Sequence, residues 1–153
     1  MKDIYFAERE ILKALPKMSR AAQSEELKAA FNKHKDETEV HIERLQEVFE
    51  LLGKSARGKT CEAIQGIIAE GGEIIEDFKG SPALDAGLIS SAQAVEHYEI
   101  TRYRTLKIWA TQLGMKGAAK LFEKTLAEES ATDDALSSIA LASANLKAKT
   151  KVA

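Results

Sequence analysis

Apolar residues recur every three to four positions along almost the whole chain, and no stretch alternates with the period of two that a half-buried strand would show. The pattern is interrupted at Gly53-Lys54-Ser55-Ala56-Arg57-Gly58, at Lys79-Gly80-Ser81-Pro82 and at Gly114-Met115-Lys116-Gly117, clusters that end helices and form turns. Ser24 followed by Glu25 and Glu26 reads as an N-cap with acids in the first turn. These signals predict long helices over residues 3–22, 24–52, 83–113 and 117–147, with a shorter amphipathic helix over 60–78. Pro16 falls inside the first of them and is expected to bend or disturb it. Two antiparallel hairpins joined by a long crossover make an all-α, ferritin-like four-helix bundle with a short extra helix in the crossover. The bundle domain is expected over 1–147 and a Lys-rich tail over 148–153.

The stripes that should face the core contain polar residues. The first reads Ile4, Glu8, Ile11, Leu15, Met18, Ala22, and the second Phe31, His34, Glu37, His41, Leu45, Val48, Leu52. The third reads Ile89, Ala92, Glu96, Glu99, Tyr103, Leu106, Ala110, Leu113. The fourth reads Ala118, Leu121, Thr125, Glu128, Thr132, Ala135, Ile139. Each long helix thus carries a carboxylate where an apolar group is expected. An unpaired buried carboxylate must be neutralised or compensated. Four aimed at one core suggest a cation.

Heights along the helices agree with the faces. Glu8 and Glu37 each lie 14–15 residues from the first interhelical turn, as Glu99 and Glu128 do from the last. At 1.5 Å per residue this puts each pair roughly 22 Å from its turn. Both pairs are separated by 29 positions, and an offset of 91 maps Glu8 to Glu99, Phe31 to Phe122, Glu37 to Glu128 and Leu45 to Leu136. That is the signature of an internal repeat of the hairpin. The repeat breaks at histidine, because His34 maps to Thr125 and His41 to Thr132.

Composition narrows the function classes. The 153 residues hold 22 Lys plus Arg and 24 Asp plus Glu, a net charge of −2, which argues against binding nucleic acid or an anionic membrane. Apolar runs are only a few residues long, so no membrane-spanning helix is expected. Met1 leads directly into a charged amphipathic pattern rather than a signal segment. A single cysteine, Cys61, has no partner for an internal disulfide. A cytoplasmic location is expected.

The chemistry these residues suggest is a dinuclear carboxylate site. Two divalent ions, iron or manganese, want hard bridging oxygens and a few imidazoles, usually one Glu on each of two helices and Glu-x-x-His on the other two. Glu-x-x-His is absent here; Glu37 instead has His34 and His41 on its own face, and the fourth helix offers Glu129 and Asp133. On this reading Glu37 and Glu128 bridge the metals and Glu8 and Glu99 are terminal ligands. His41 or His34 supplies a nitrogen, and Glu96 or Asp133 completes the oxygen set. Reaction with dioxygen or peroxide would follow. The competing reading is a non-enzymatic helical scaffold whose core glutamates hydrogen-bond to Tyr103, Thr125 and Thr132. Individually these residues have ordinary roles available: His97 as a solvated face residue, Glu70 as a cap or a salt bridge across the bundle, Tyr5, Tyr103 and Trp109 as core or bundle-end aromatics.

Several segments also resemble a known family. Asp3-Ile4-Tyr5-Phe6-Ala7-Glu8, Leu15-Pro16-Lys17-Met18 and Glu37-Thr38-Glu39-Val40-His41-Ile42-Glu43-Arg44-Leu45 are similar to the YciE/YciF family of bacterial stress proteins. The similarity continues through Gly66-Ile67-Ile68-Ala69-Glu70-Gly71 and Val95-Glu96-His97-Tyr98-Glu99-Ile100 to Trp109 and Leu113-Gly114. The resemblance implies a ferritin-like, rubrerythrin-related bundle, usually a homodimer, linked to stress responses. Nothing in the sequence marks the symmetry contacts of a storage cage.

Overall fold

The computed structural model describes residues 1–149. Its elements are α1 (Lys2–Ala21), α2 (Glu25–Leu51), α3 (Glu62–Asp77), α4 (Leu84–Gln112) and α5 (Lys116–Ile139), followed by a π-helical turn (Ala140–Ala144) and α6 (Asn145–Lys149). Among the described residues there is no strand. The first two residues of the expected tail, Ala148 and Lys149, belong to α6; the rest of it lies outside the described residues.

The helix ends form where the sequence signals place them. The Ser24 hydroxyl accepts the Leu27 N–H at 3.3 Å and caps α2. Two helices end on glycines in the left-handed region, Gly53 at φ 63° and Gly114 at φ 72°. Behind them Lys54 N–H reaches the Phe49 carbonyl at 2.9 Å and Met115 N–H the Ala110 carbonyl at 2.8 Å. This is the Schellman arrangement, which satisfies carbonyls the helix would otherwise leave open. At Pro16, by contrast, α1 runs through without a break.

α1 packs on α2, α4 on α5 and α2 on α5, which makes an antiparallel ferritin-like bundle. α3 crosses outside it, against α1 and α4. It sits tightly there because Gly71 has no side chain: a Cβ would come within 2.6 Å of Ser91 Oγ. The buried carboxylate of Asp85, at the start of α4, accepts the backbone N–H groups of Gln23 and Ser24 at 2.7 and 2.9 Å. It ties the α1–α2 turn to the second hairpin and satisfies donors a turn would leave open.

The core runs the length of the bundle through Ile4, Leu27, Phe49, Leu88, Tyr103 and Leu136. Burying each of these aliphatic or aromatic side chains contributes about 1.5–3 kcal/mol. Two outer members of the expected stripes fall outside the core: Leu113 is 74% and Leu52 37% exposed. Both stand at helix C-termini, where the packed face has run out. Trp109 lies one turn before the end of α4 and is 57% exposed. No helix among the described residues is long and apolar enough to cross a membrane.

Candidate metal centre

Six ionisable side chains meet halfway along the bundle, all of them buried: Glu8 from α1, His34 and His41 from α2, Glu96 and Glu99 from α4, and Glu129 from α5. The helical period explains the convergence. His34 and His41 are seven residues apart, and Glu96 and Glu99 three, so each pair shares one face of its helix.

The group divides into two candidate metal sites that share one residue. His34, Glu96, Glu99 and Glu129 each present a ligand atom within 4.8 Å of the others, and so do Glu8, His41 and Glu129. The two oxygens of Glu129 face opposite ways: Oε1 is 3.0 Å from His41 Nδ1, and Oε2 is 3.9 Å from His34 Nε2. His34 Nε2 also lies 3.3 Å from Glu96 Oε1, and His41 Nδ1 3.7 Å from Glu8 Oε1.

Hydrogen bonding does not account for this cluster. Both oxygens of Glu99 and of Glu129, Oε2 of Glu8 and of Glu96, His34 Nε2 and His41 Nδ1 are buried without a hydrogen-bond partner. Leaving such groups open costs about 1–3 kcal/mol each, and more when they are charged. The scaffold reading requires these carboxylates to be satisfied by hydroxyls. Only one is: Tyr103 Oη donates to Glu8 Oε1. Thr125 accepts from Arg44 at 3.2 Å and Thr132 sits 3.5 Å from His34 Nδ1.

The cluster's carboxylates and imidazoles shift one another's protonation strongly. Burial, reinforced by the charge of Glu129, pushes Glu8 up to about 8. It holds Glu96 and Glu99 well above the ordinary carboxylate range. Burial pushes His34 down. His41 is also opposed by burial, but the nearby carboxylates of Glu129, 3.0 Å from its Nδ1, and of Glu8 and Glu128 raise it to about 9. Buried like charges of this kind favour uptake of protons or of a cation.

Three residues nominated from the sequence lie outside the six. Glu128, 34% exposed, turns toward the bundle surface. There it accepts Arg44 Nη2 at 2.9 Å and lies 2.8 Å from His41 Nε2, and the Arg44 hydrogen bond pulls its carboxyl down. Glu37 is half-buried and takes the Lys33 ammonium, with Oε2 4.0 Å from His34 Nδ1. Asp133 is held by Gln93 at 2.9 Å and by the exposed His97 at 3.2 Å. The buried positions next to the two displaced glutamates are Thr38 and Glu129. Both displacements are the same one-residue rotation, since 37 maps to 128 and 38 to 129 under the offset of 91. The sequence did contain a signal for it. Phe122 and Leu136, the bulkiest apolar residues of their stretch, flank Glu129 at seven positions either side, whereas Glu128 is flanked by Leu121 and the smaller Ala135. Arg44, which fixes Glu128, was not singled out.

A family profile described as "Domain of unknown function (DUF892)" matches residues 1–149. Protein YciF of Escherichia coli is 43% identical over 152 residues, covering 99% of this chain and 92% of that one. This chain belongs to the YciE/YciF (DUF892) family. The crystal structure of the E. coli stress protein YciF superposes with a TM-score of 0.87 at 43% identity, over 92% of this chain and 89% of that one. YcfI from Rhodopseudomonas palustris gives a TM-score of 0.86 at 43% identity, over 89% and 87%. In this YciE/YciF member, therefore, the ferritin-like bundle comes with two buried His/Glu clusters that form candidate metal sites in its core.

Proposed function

We propose that this chain is a stress-response protein that holds two divalent metal ions, iron or manganese, side by side in the bundle core. The observation that carries the reading is the set of buried, unpartnered oxygens and imidazole nitrogens that converge from four helices. The donors are carboxylates and imidazoles, which suit iron and manganese and not a soft metal. His34, Glu96 and Glu99 would hold one ion and Glu8 and His41 the other, with Glu129 within reach of both. A pair of such ions supplies redox chemistry toward dioxygen or peroxide.

The remaining side chains orient these donors. With a metal bound, donation of Nε2–H to Glu128 would leave the His41 Nδ1 lone pair toward the centre. Arg44 fixes Glu128 in turn. A carboxylate behind a ligating histidine typically sets its tautomer and strengthens it as a ligand. Tyr103 engages one oxygen of Glu8, which leaves the other free. Leu113 and Trp109, exposed at the end of the bundle, make a surface suited to a second copy of the chain; we read the protein as a cytoplasmic homodimer.

The test is elemental analysis of protein purified without chelator. Close to two iron or manganese ions per chain are expected, and Glu129→Gln should lose both while staying helical. Metal-free protein that takes up neither ion on reconstitution would overturn the reading in favour of a scaffold.

A further inference from the structure

A cavity of about 270 Å³ opens between α1, α3 and α4 and ends on the buried cluster. Its walls are apolar: Ile11 and Leu15 from α1, Phe31 from α2, Ile68 from α3, Val95 from α4 and Leu136 from α5. Its polar lining gathers mainly at the two ends, with Ser91 of α4 the one polar side chain between them. Glu10, Lys13 and Lys17 stand at the mouth, and the floor is made by His34, Glu96 and Thr132. Two floor atoms, His34 Nε2 and Glu96 Oε2, are buried without a hydrogen-bond partner. α3 roofs the space, and its Gly72 faces it with room to spare: the nearest atom to a Cβ there would be Lys17 Nζ at 3.8 Å.

We propose that this cavity binds a small apolar molecule bearing a single oxygen function, an alcohol or organic hydroperoxide, with the oxygen end on the His34–Glu96 floor. The inference rests on the metal reading above and narrows it to a substrate class. Three features of the space define the class. An engineered apolar cavity of about 150 Å³ is filled by benzene, and drug-sized ligands need about 300–1,000 Å³, so this one suits a molecule of roughly ten heavy atoms. Apolar walls give a fully hydrated molecule such as glycerol nothing in return for the water it sheds. The floor gathers the polar partners His34, Glu96 and Thr132 at one end of the ligand, and along the walls only Ser91 adds another. Metal at the cluster would be approached from this side only through the cavity floor, which places the oxygen function toward it.

Cumyl alcohol, an aryl tertiary alcohol with no peroxide bond to react, is the probe, and the full chain loaded with manganous ion is the receptor. Titration followed by proton NMR of the probe should show saturable binding, while glycerol at equal concentration shows none. Manganese is paramagnetic, so the methyl protons beside the hydroxyl should broaden more strongly than the ring proton opposite. Gly72→Leu replaces a helix-weakening residue with a strong helix former and fills the cavity from its roof. It should weaken the probe roughly tenfold or more while manganese content stays at the wild-type level. Ala14→Phe, filling from α1, should do the same. Broadening that is uniform or strongest at the ring would overturn the assigned orientation. Absence of saturable binding in manganese-replete protein, or unchanged binding in both filled variants, would overturn the proposal and leave the metal reading standing. Manganese is counted in every sample, so protein that fails to take up metal refutes the metal reading separately.

Discussion

The two hairpins of the bundle share one frame and contribute opposite chemistry to its centre. α1–α2 supplies one carboxylate and two imidazoles, Glu8, His34 and His41; α4–α5 supplies three carboxylates, Glu96, Glu99 and Glu129. Under the offset of 91, Glu8 and Glu99 are equivalent, but Thr38 stands opposite Glu129 and the two histidines stand opposite Thr125 and Thr132. All of these positions are buried. A repeated hairpin therefore explains where polar groups enter the core, and the substitutions between the copies explain what the core can hold. A symmetric site built from two copies of the second hairpin would have carboxylates in place of Tyr5 and Thr38, matching Glu96 and Glu129, and would carry no nitrogen. The cluster of this chain instead joins four carboxylates with two imidazoles.

The strongest way to break the comparison is to restore the symmetry. Thr38→Glu adds a further carboxylate to a fully buried position, and without metal it should destabilise the protein by about 3–5 kcal/mol. Denaturant melts in the presence and absence of manganous ion would check this, with metal recovering most of the loss. If the loss stays below about 1 kcal/mol, Thr38 does not face the charged cluster.

Titration of the unequal halves comes next. Glu8, raised to about 8 from an ordinary 4.5, keeps a proton in the folded state that the unfolded chain gives up from about pH 4.5 upward. His41, raised to about 9 from 6.5, behaves likewise. The Glu8 contribution is lost as pH rises from about 4.5 through 8 and the His41 contribution from 6.5 through 9, so metal-free protein should become less stable over the whole of that range, with part of the Glu8 loss already taken by pH 6.5. Glu96 and Glu99 act in the same direction. His34, whose value is lowered, acts the other way, but only below its ordinary 6.5. Each displaced unit is worth about 1.4 kcal/mol, so melts at pH 6.5 and 9 should differ by a few kcal/mol. Metal affinity should climb over the same interval, because the ions must displace these protons. A metal-free protein equally stable at both values would remove the protonated cluster.

Metal itself has a smaller, concentration-dependent effect. At a hundredfold excess over its dissociation constant, an ion bound only by the folded chain contributes about 2.7 kcal/mol, which for a domain of this size raises Tm by about 6–10 °C. The shift should vanish in Glu129→Gln. The smallest change expected is in the support behind His41: Glu128→Gln keeps a hydrogen-bond acceptor for Nε2 but loses the charge and the Arg44 pairing. It should weaken metal binding by about tenfold to a hundredfold and leave the fold intact. Metal titrations of Glu128→Gln and Glu37→Gln side by side sharpen the contrast, since Glu37 touches no ligand atom closer than 4.0 Å and should matter less.

Helix count, hairpin pairing and the level of the site follow from residues that can be read one at a time. Gly53 and Gly114 end helices because they alone enter the left-handed region cheaply, and Ser24 starts one because its hydroxyl can accept an orphan N–H. Glu8, Glu96, Glu99, His34 and His41 were legible because each interrupts an apolar stripe that is otherwise unambiguous.

Glu129 does not interrupt an unambiguous stripe, and only its flanks, Phe122 and Leu136, favour it over Glu128. The row Ala118, Thr125, Thr132 and Ile139 belongs to the buried face whichever flank is chosen, and Glu128 and Glu129 lie on its two flanks, about 100° apart around the helix. Local pattern alone determines that a carboxylate enters the core at this height. Which of the two enters is decided by the rotation of α5, and that rotation is set by contacts with other helices. Phe122 packs against Tyr103 with ring centroids 6.3 Å apart, Leu136 is buried, and Arg44 on α2 captures Glu128 at the surface. A helix turns to bury its largest apolar groups, because their removal from water outweighs what a single carboxylate prefers, and the neighbouring glutamate is carried inward with them.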